Sequence, residues 1–162
     1  MKKNIVNYGA LVRLLIQRYP LNHRGIHGVP HWMRVRANGL SMAEINGANS
    51  KVIELFAVFH DSQRFNDAHD PEHGARGAAL AFEFWQEGII SLEKSEFAKL
   101  EEACCDHTHG GTEPSSITIA TCWDADRLDL GRVGIIPNPR YLCTDEACDY
   151  EMLDWAYNRS IR

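Results

Sequence analysis

The sequence predicts an all-α fold, a bundle of six or seven helices, in a single domain spanning residues 1–162. Three observations lead to this prediction. Apolar residues recur three and four positions apart along most of the chain, which is the spacing of one helix face. Glycine and proline stand between these segments, where helices end or begin. The apolar–polar alternation of strands is missing, apart from a weak β-branched segment at residues 117–121.

The first three helices are expected in the N-terminal part of the chain. The first includes Ile5 and Val6 and ends at Pro20, because proline cannot continue a helix. After a loop rich in glycine and proline, Pro30 begins the second helix. Ser50 can cap the third helix by accepting a hydrogen bond from a backbone N–H group. This third helix is apolar on most sides, and we therefore expect it at the centre of the bundle.

The remaining helices follow from residue 70 onward. Asp70 is expected to cap the fourth helix, with Pro71 at its first position. The fifth helix is expected to stop at Gly110, because glycine commonly ends helices. The sixth covers the segment ITIATCWDADRLDLG, and Thr144 is expected to cap a last helix after an irregular stretch.

Composition and charge argue against several classes of protein. The formal net charge of −5 is unfavourable for a broad basic surface that binds nucleic acid or an anionic membrane. No apolar stretch approaches the about 20 residues of a membrane span, and charged residues interrupt the apolar N-terminus. We therefore expect a cytoplasmic protein. The five cysteines include no CxxC pair, so buried reduced thiols are expected rather than disulfides or structural zinc.

Histidine and aspartate recur at the predicted helix ends in a definite order. His31 opens the second helix, the doublet His60-Asp61 ends the third, and Asp126 lies in the sixth within DADRLD. Helical bundles build metal sites by projecting such side chains inward from facing helices, and imidazole with carboxylate suits first-row metal ions. Taken alone, each of these residues is more often an ordinary polar residue at a helix end than a metal ligand. Their order along the chain is what indicates a metal site.

This ordered set resembles the HD-domain superfamily of metal-dependent phosphohydrolases over roughly residues 23–135. The segments GIHGVPHWMRVRANGL, FHDSQRFNDAHDPEHGARGA and CWDADRLDLGRVGI are similar to a poorly characterised bacterial branch of that superfamily. The resemblance implies an HD-domain helical bundle that covers the chain. It also implies a metal held by His31, His60, Asp61 and Asp126.

The resemblance leaves the number of metal ions open, because members that bind two ions use two further histidines. His73 and either His107 or His109 match those places, and at most one of the latter pair is expected to face the site. Asp129 follows Asp126 by three residues and is expected to support the ligands from the same helix face. The implied cofactor is one or two divalent transition-metal ions (Mn, Fe, Ni or Zn), with Mg also compatible.

Arginines near the expected ligands suggest a phosphate site, because the guanidinium fork matches phosphate geometry. Arg34, Arg64 and Arg127 are the candidates, and Arg64 is the first choice for a catalytic or substrate-binding role. The alternatives are a solvated position on the helix for Arg34 and a pairing with Asp124 for Arg127.

One departure from the family concerns the general base. Branches that hydrolyse the alarmone (p)ppGpp carry Glu-Asp three and four residues beyond the doublet, where this sequence has Arg64 and Phe65. This difference argues against that substrate. Asp67 is the nearest replacement as a catalytic base, although a loop aspartate forms a turn with Asn66 equally well.

Three functions are compatible with the sequence. The first is a phosphohydrolase acting on a nucleotide or another small phosphate ester, without a P-loop or dinucleotide glycine motif. The second is an HD-type di-iron oxygenase, which the surplus of histidines supports. The third is a non-catalytic HD module that binds a ligand through the same pocket. In each case the expected partner is a small molecule rather than a membrane or nucleic acid, and the oligomeric state is not specified.

Overall fold

Helices and loops account for all of residues 7–162, the part of the chain that the computed structural model describes. The α-helices in this part are α1 Tyr8–Arg18, α2 Val29–Asn46, α3 Ser50–Phe59, α4 His73–Gln86, α5 Lys94–Asp106, α6 Ile117–Arg127, α7 Asp145–Cys148 and α8 Tyr150–Ser160. Two 3₁₀ helices occupy Leu130–Val133 and Pro139–Tyr141. The all-α prediction is confirmed over these residues, with eight α-helices instead of six or seven. Ile5 and Val6 lie outside the described residues.

The last part of the chain accounts for the additional helix. Thr144 caps α7 as predicted, but α7 ends after one turn, and the Asp149 side chain then caps α8. The β-branched segment 117–121 is helical, because Ser116 caps α6 and Ile119 packs in the core. Burial of an apolar face therefore outweighs the local preference for a strand.

The N-terminus of α3 is capped by Asn49 and not by the predicted Ser50. The Asn49 side chain accepts hydrogen bonds from the backbone N–H groups of Lys51 and Val52. Asparagine and serine are comparable caps, so composition alone does not choose between neighbours. Asn49 has the extended backbone conformation that is typical of an N-cap residue, and the helix begins at the next residue.

The prediction that Asp70 caps α4 is wrong. Helix α4 begins at His73, and its N-cap residue is Glu72. The Asp70 carboxylate instead accepts hydrogen bonds from the Phe65 backbone N–H and from the Arg76 guanidinium. Asp70 therefore holds the loop between α3 and α4 together, and its side chain does not accept a hydrogen bond from the first N–H groups of α4.

Helix α3 lies at the centre of the bundle, as its composition predicts, and contacts α2, α4, α5 and α6. Its fully buried residues are Val52, Ile53, Phe56, Ala57, Val58 and Phe59. Burying side chains of this size on all sides supplies a large share of the hydrophobic stabilisation. Because α3 is central, the doublet His60-Asp61 at its end lies in the interior and not at the surface.

The described residues also bear on two expectations about exposure. Among residues 7–162, no helix combines the length and apolar character needed to cross a membrane. All five cysteines are free, but only Cys104 and Cys122 are buried. Cys143 is half-buried, and Cys105 and Cys148 are exposed, so the expectation of buried thiols is wrong for these two.

Candidate metal centre

Five helix ends meet on one side of the bundle, and each carries a residue predicted to bind metal. They are His31 near the start of α2, His60 after α3, His73 at the start of α4, His107 after α5 and Asp126 near the end of α6. The four histidines are buried, and the Asp126 side chain is 17% exposed. Folding therefore concentrates ligand atoms that are far apart in sequence.

The first group of ligand atoms comes from His31, His60 and Asp126. Asp126 Oδ1 lies 3.2 Å from His31 Nε2 and 3.5 Å from His60 Nε2. The two imidazole Nε2 atoms are 3.1 Å apart. Burial acts to raise the pKa of Asp126, but hydrogen bonds with the two histidines hold it well below its usual range. A charged carboxylate is the form that binds a metal ion.

The second group comes from Asp61, His73 and His107. Asp61 Oδ1 lies 3.2 Å from His73 Nε2 and 3.7 Å from His107 Nε2. The Nε2 atoms of these two histidines are 2.8 Å apart. The structure thus assembles a second candidate site from the residues that the sequence left as alternatives.

Asp61 faces both groups at once. Its Oδ2 atom lies 3.5 Å from His31 Nε2 and 3.7 Å from His60 Nε2, whereas its Oδ1 atom points to the second group. Burial acts to raise the pKa of Asp61, but the neighbouring histidines, above all His60, hold it well below its usual range. One ionised carboxylate therefore joins the two groups.

Backbone carbonyl groups fix the tautomer of three of the histidines. Each Nδ1 atom bonds to a carbonyl oxygen three or four residues earlier: His60 to Phe56, His73 to Asp70 and His107 to Cys104. A carbonyl oxygen can only accept, so Nδ1 carries the hydrogen and Nε2 presents a lone pair. This is the arrangement by which proteins orient metal-binding histidines.

Asp129 performs the same task for His31 and carries a charge. Its Oδ2 atom accepts a hydrogen bond from His31 Nδ1 at 2.7 Å. Arg34 in turn donates to both Asp129 oxygens, at 2.7 and 3.1 Å. Asp129 thus contacts the edge of the imidazole that faces away from the ligand atoms. It does so from beyond the end of α6 at Arg127, and not from the α6 face on which it was expected.

The donor atoms of both groups fit a metal ion. In the second group, the Nε2 lone pairs of His73 and His107 face each other at 2.8 Å, and such a pair repels unless a cation accompanies it. The groups combine nitrogen and carboxylate oxygen without thiolate, which suits divalent Mn, Fe, Ni or Zn. Each group therefore has the donor atoms that a divalent-metal site requires.

The pKa of His31 shows that the first group also favours a positive charge. Burial and the charge of Arg132 both act to lower the pKa of His31. Hydrogen bonds with Asp126, Asp129 and Asp61 outweigh them and raise this pKa to about 9. The carboxylates around His31 thus create a site that favours positive charge.

The structure distinguishes His107 from His109. Helix α5 ends at Asp106, before the predicted stop at Gly110, and both histidines lie in the following turn. His107 is buried against the second group, whereas His109 is exposed at the rim of the adjoining cavity. The choice depends on where the helix ends, which spacing alone does not give.

A cavity of about 310 Å³ opens onto both groups. Apart from the candidate ligands, its polar wall includes His27, Arg64, His69, His109, Arg127 and Arg132. Arg64 is buried, and it donates to the backbone carbonyls of Asn66 and Ala68 while its Nη1 lies 3.2 Å from His73 Nε2. Arg127 donates to the carbonyl of Tyr141. Three arginines therefore line a cavity beside acidic ligands.

Two residues predicted for the site lie elsewhere. Arg34 was a candidate for the substrate phosphate, but it does not line the cavity, because its guanidinium is bound to Asp129. Asp67, the candidate base, is exposed and also lies outside the cavity wall. Asp67 lies within a turn in which the Asn66 side chain accepts a hydrogen bond from the Ala68 backbone N–H.

Two residues of the site were missed at the level of sequence. His27 Nδ1 lies 2.9 Å from Asp61 Oδ2, and the Trp32 indole donates to the His27 carbonyl. Arg132 projects into the cavity from the 3₁₀ helix after α6. The available signals were the spacing of His27, four residues before His31, and the three-residue step from Asp129 to Arg132.

The helical bundle and the histidine–aspartate centre at its helix ends define an HD-type fold. No protein-family model and no curated protein matches the sequence. Among solved structures, the chain is similar to a predicted HD superfamily hydrolase from an uncultured Thermotogales bacterium, with a TM-score of 0.71 and 22% sequence identity. The match covers 93% of this chain and 84% of the other. The chain therefore has the HD-domain fold that its motifs indicated.

Proposed function

We propose that this protein is a metal-dependent phosphohydrolase acting on a small phosphate ester, with a nucleotide as the preferred class. The observation that carries the proposal is the position of Asp61, whose two oxygens face two separate histidine groups. The adjoining cavity supports it, because 310 Å³ suits a small ligand and its arginines suit phosphate. The HD fold agrees with this chemistry.

The chain would contribute binding, orientation and exclusion of water to this reaction. His31, His60 and Asp126 would hold one ion, His73 and His107 the other, and Asp61 would contact both. A divalent ion bound there supplies an acidified water and neutralises a phosphoryl oxygen. Hydrolysis forms a bond from the water oxygen to phosphorus and breaks the ester P–O bond, and the leaving alkoxide takes the water proton.

The direct test is a hydrolysis screen with metal-loaded protein. We expect release of inorganic phosphate from at least one of a panel of nucleoside monophosphates and sugar phosphates. Asp126→Asn should lower that rate by at least about 100-fold, because it removes a ligand charge beside the reacting group. A loaded wild-type protein that hydrolyses no member of the panel would contradict the proposal.

A di-iron oxygenase is the second candidate, because the complete six-residue set is present: His31, His60, Asp61, His73, His107 and Asp126. The same ligands suit iron. Iron bound after purification, with an absorbance or EPR signal that changes on exposure to oxygen, would favour this function. Phosphate release that is supported by Mn²⁺ or Mg²⁺ under anaerobic conditions would favour the hydrolase.

A further inference from the structure

Arg132 occupies a fixed position beside the first group of ligands. It lies in the Leu130–Val133 3₁₀ helix, and its side chain is only 8% exposed. Its Nε donates to the Ile26 carbonyl at 2.9 Å and its Nη1 to the Asp129 carbonyl at 3.0 Å. These two bonds to separate segments hold the plane of the guanidinium group.

The third nitrogen of Arg132 differs from the other two. Its Nη2 makes no hydrogen bond to any residue of the described chain and lies 3.9 Å from Asp126 Oδ1. That distance is too long for a hydrogen bond. Because Arg132 lines the cavity and Nη2 has no hydrogen-bond partner there among the described residues, Arg132 carries N–H donors next to a candidate ligand that are free for another acceptor.

The other arginines of the cavity wall are used differently. Arg64 has all three nitrogens engaged, by two loop carbonyls and by His73. Arg127 bonds to the Tyr141 carbonyl and the Cys143 sulfur, and no ion pair joins it to the ligands within residues 7–162. Arg132 therefore combines rigid anchoring with free donors at the ligand edge.

We propose that Arg132 binds a non-bridging oxygen of the substrate phosphoryl group beside His31, His60 and Asp126. The inference rests on the proposed phosphohydrolase function and assigns to Arg132 the substrate-binding role for which Arg64 was the first choice. A guanidinium held in place before the substrate arrives loses little entropy on binding and stays oriented as charge develops on phosphate oxygens. Its permanent charge also balances Asp126 in a buried setting.

The test uses Mn²⁺-loaded full-length protein and inorganic phosphate as the probe, with binding measured by isothermal titration calorimetry. Arg132→Gln should weaken phosphate binding by about 10- to 100-fold, the range of a lost charge-assisted pair. Arg132→Lys should show a smaller loss, because a lysine offers a point charge without the fork. Arg140→Gln, an exposed residue away from the cavity, removes the same charge and should bind like wild type.

The outcomes separate this inference from the proposed function. Equal phosphate affinity in Arg132→Gln and wild type would overturn the role of Arg132 and leave the proposed function intact. Loss of metal from Arg132→Gln would also overturn it, because Arg132 would then support the ligands. If Arg132→Gln does not fold, wild-type affinity in Arg132→Lys overturns it. A wild-type protein that binds Mn²⁺ but no phosphate would overturn both.

Discussion

Each of the four histidines of the candidate metal centre has its Nδ1 atom held by a neighbour, and Asp129 is the one such neighbour with a carboxylate. Arg34, Asp129 and His31 form a chain of hydrogen bonds that leads to the imidazole of the candidate ligand His31. Asp124, five residues earlier and within α6, provides a contrast. It is equally buried, but it accepts hydrogen bonds from Cys143 and Thr144.

These two aspartates give a matched pair of variants at the residue scale. Asp129→Asn should weaken metal binding at the first group by about 10- to 100-fold, because it removes the charge that orients His31. Asp124→Asn should leave metal affinity unchanged and lower the free energy of unfolding by about 1–3 kcal/mol, since buried N–H groups lose a charged acceptor. Metal titration and urea unfolding measure both. Similar metal affinity in the two variants would contradict the role of Asp129.

At the scale of elements, two glycines set how closely α4 approaches its neighbours. A Cβ atom added at Gly74 would collide with the Cys104 carbonyl of α5, and one at Gly77 with the Phe59 carbonyl of α3. Both contacts are with backbone atoms, which cannot move aside independently. This close approach is what brings His73 at the start of α4 against His107 and Asp61.

Gly74→Ala is therefore expected to destabilise the protein, although alanine favours helices by about 1 kcal/mol over glycine. We expect a loss of about 1–3 kcal/mol in the free energy of unfolding from overpacking, together with weaker metal binding at the second group. Ala79→Gly, at an exposed position of the same helix, is the control. It should cost only about 1 kcal/mol and leave metal binding intact. A stabilised Gly74→Ala protein would show that the approach of α4 is looser.

The order of histidine and aspartate along the chain, together with the resemblance to the HD-domain superfamily, was enough to predict part of the centre. His31, the doublet His60-Asp61 and Asp126 stand at recognisable places in amphipathic helices, and the structure places them together. The remaining residues depend on features that spacing does not encode. His107 is buried one residue beyond the end of α5, and Arg132 lines the cavity from the 3₁₀ helix that follows α6. Asp67 is exposed in a turn within its loop.

At the scale of the whole molecule, the candidate metal centre lies where the ends of α2 to α6 meet. The facing Nε2 atoms of His73 and His107 at 2.8 Å and the buried carboxylates of Asp61 and Asp129 favour a bound cation at this end of the bundle. A ligand that binds the folded state alone stabilises it in proportion to the logarithm of its concentration over Kd. Metal binding should therefore raise the free energy of unfolding of the whole protein.

Removal of metal should accordingly lower the melting temperature. At a free metal concentration of about 1,000 times Kd, one ion contributes about 4 kcal/mol, which corresponds to a shift of roughly 8–16 °C for a chain of this size. Differential scanning fluorimetry with and without EDTA measures the shift, and readdition of Mn²⁺ should restore it. The His31→Ala, His73→Ala double variant is the control and should respond much less. An unchanged melting temperature in loaded and stripped wild type would contradict a metal that links the helices.

The central claim is that Asp61 joins two metal-binding groups, and the number of metal ions per chain tests it most directly. Elemental analysis of protein loaded with Mn²⁺ or Fe²⁺ and freed of excess metal should give about two equivalents in wild type. His73→Ala should retain about one, His69→Ala about two, and Asp61→Asn less than one. A wild-type protein that binds one equivalent, kept in His73→Ala, or that binds none, would contradict the account.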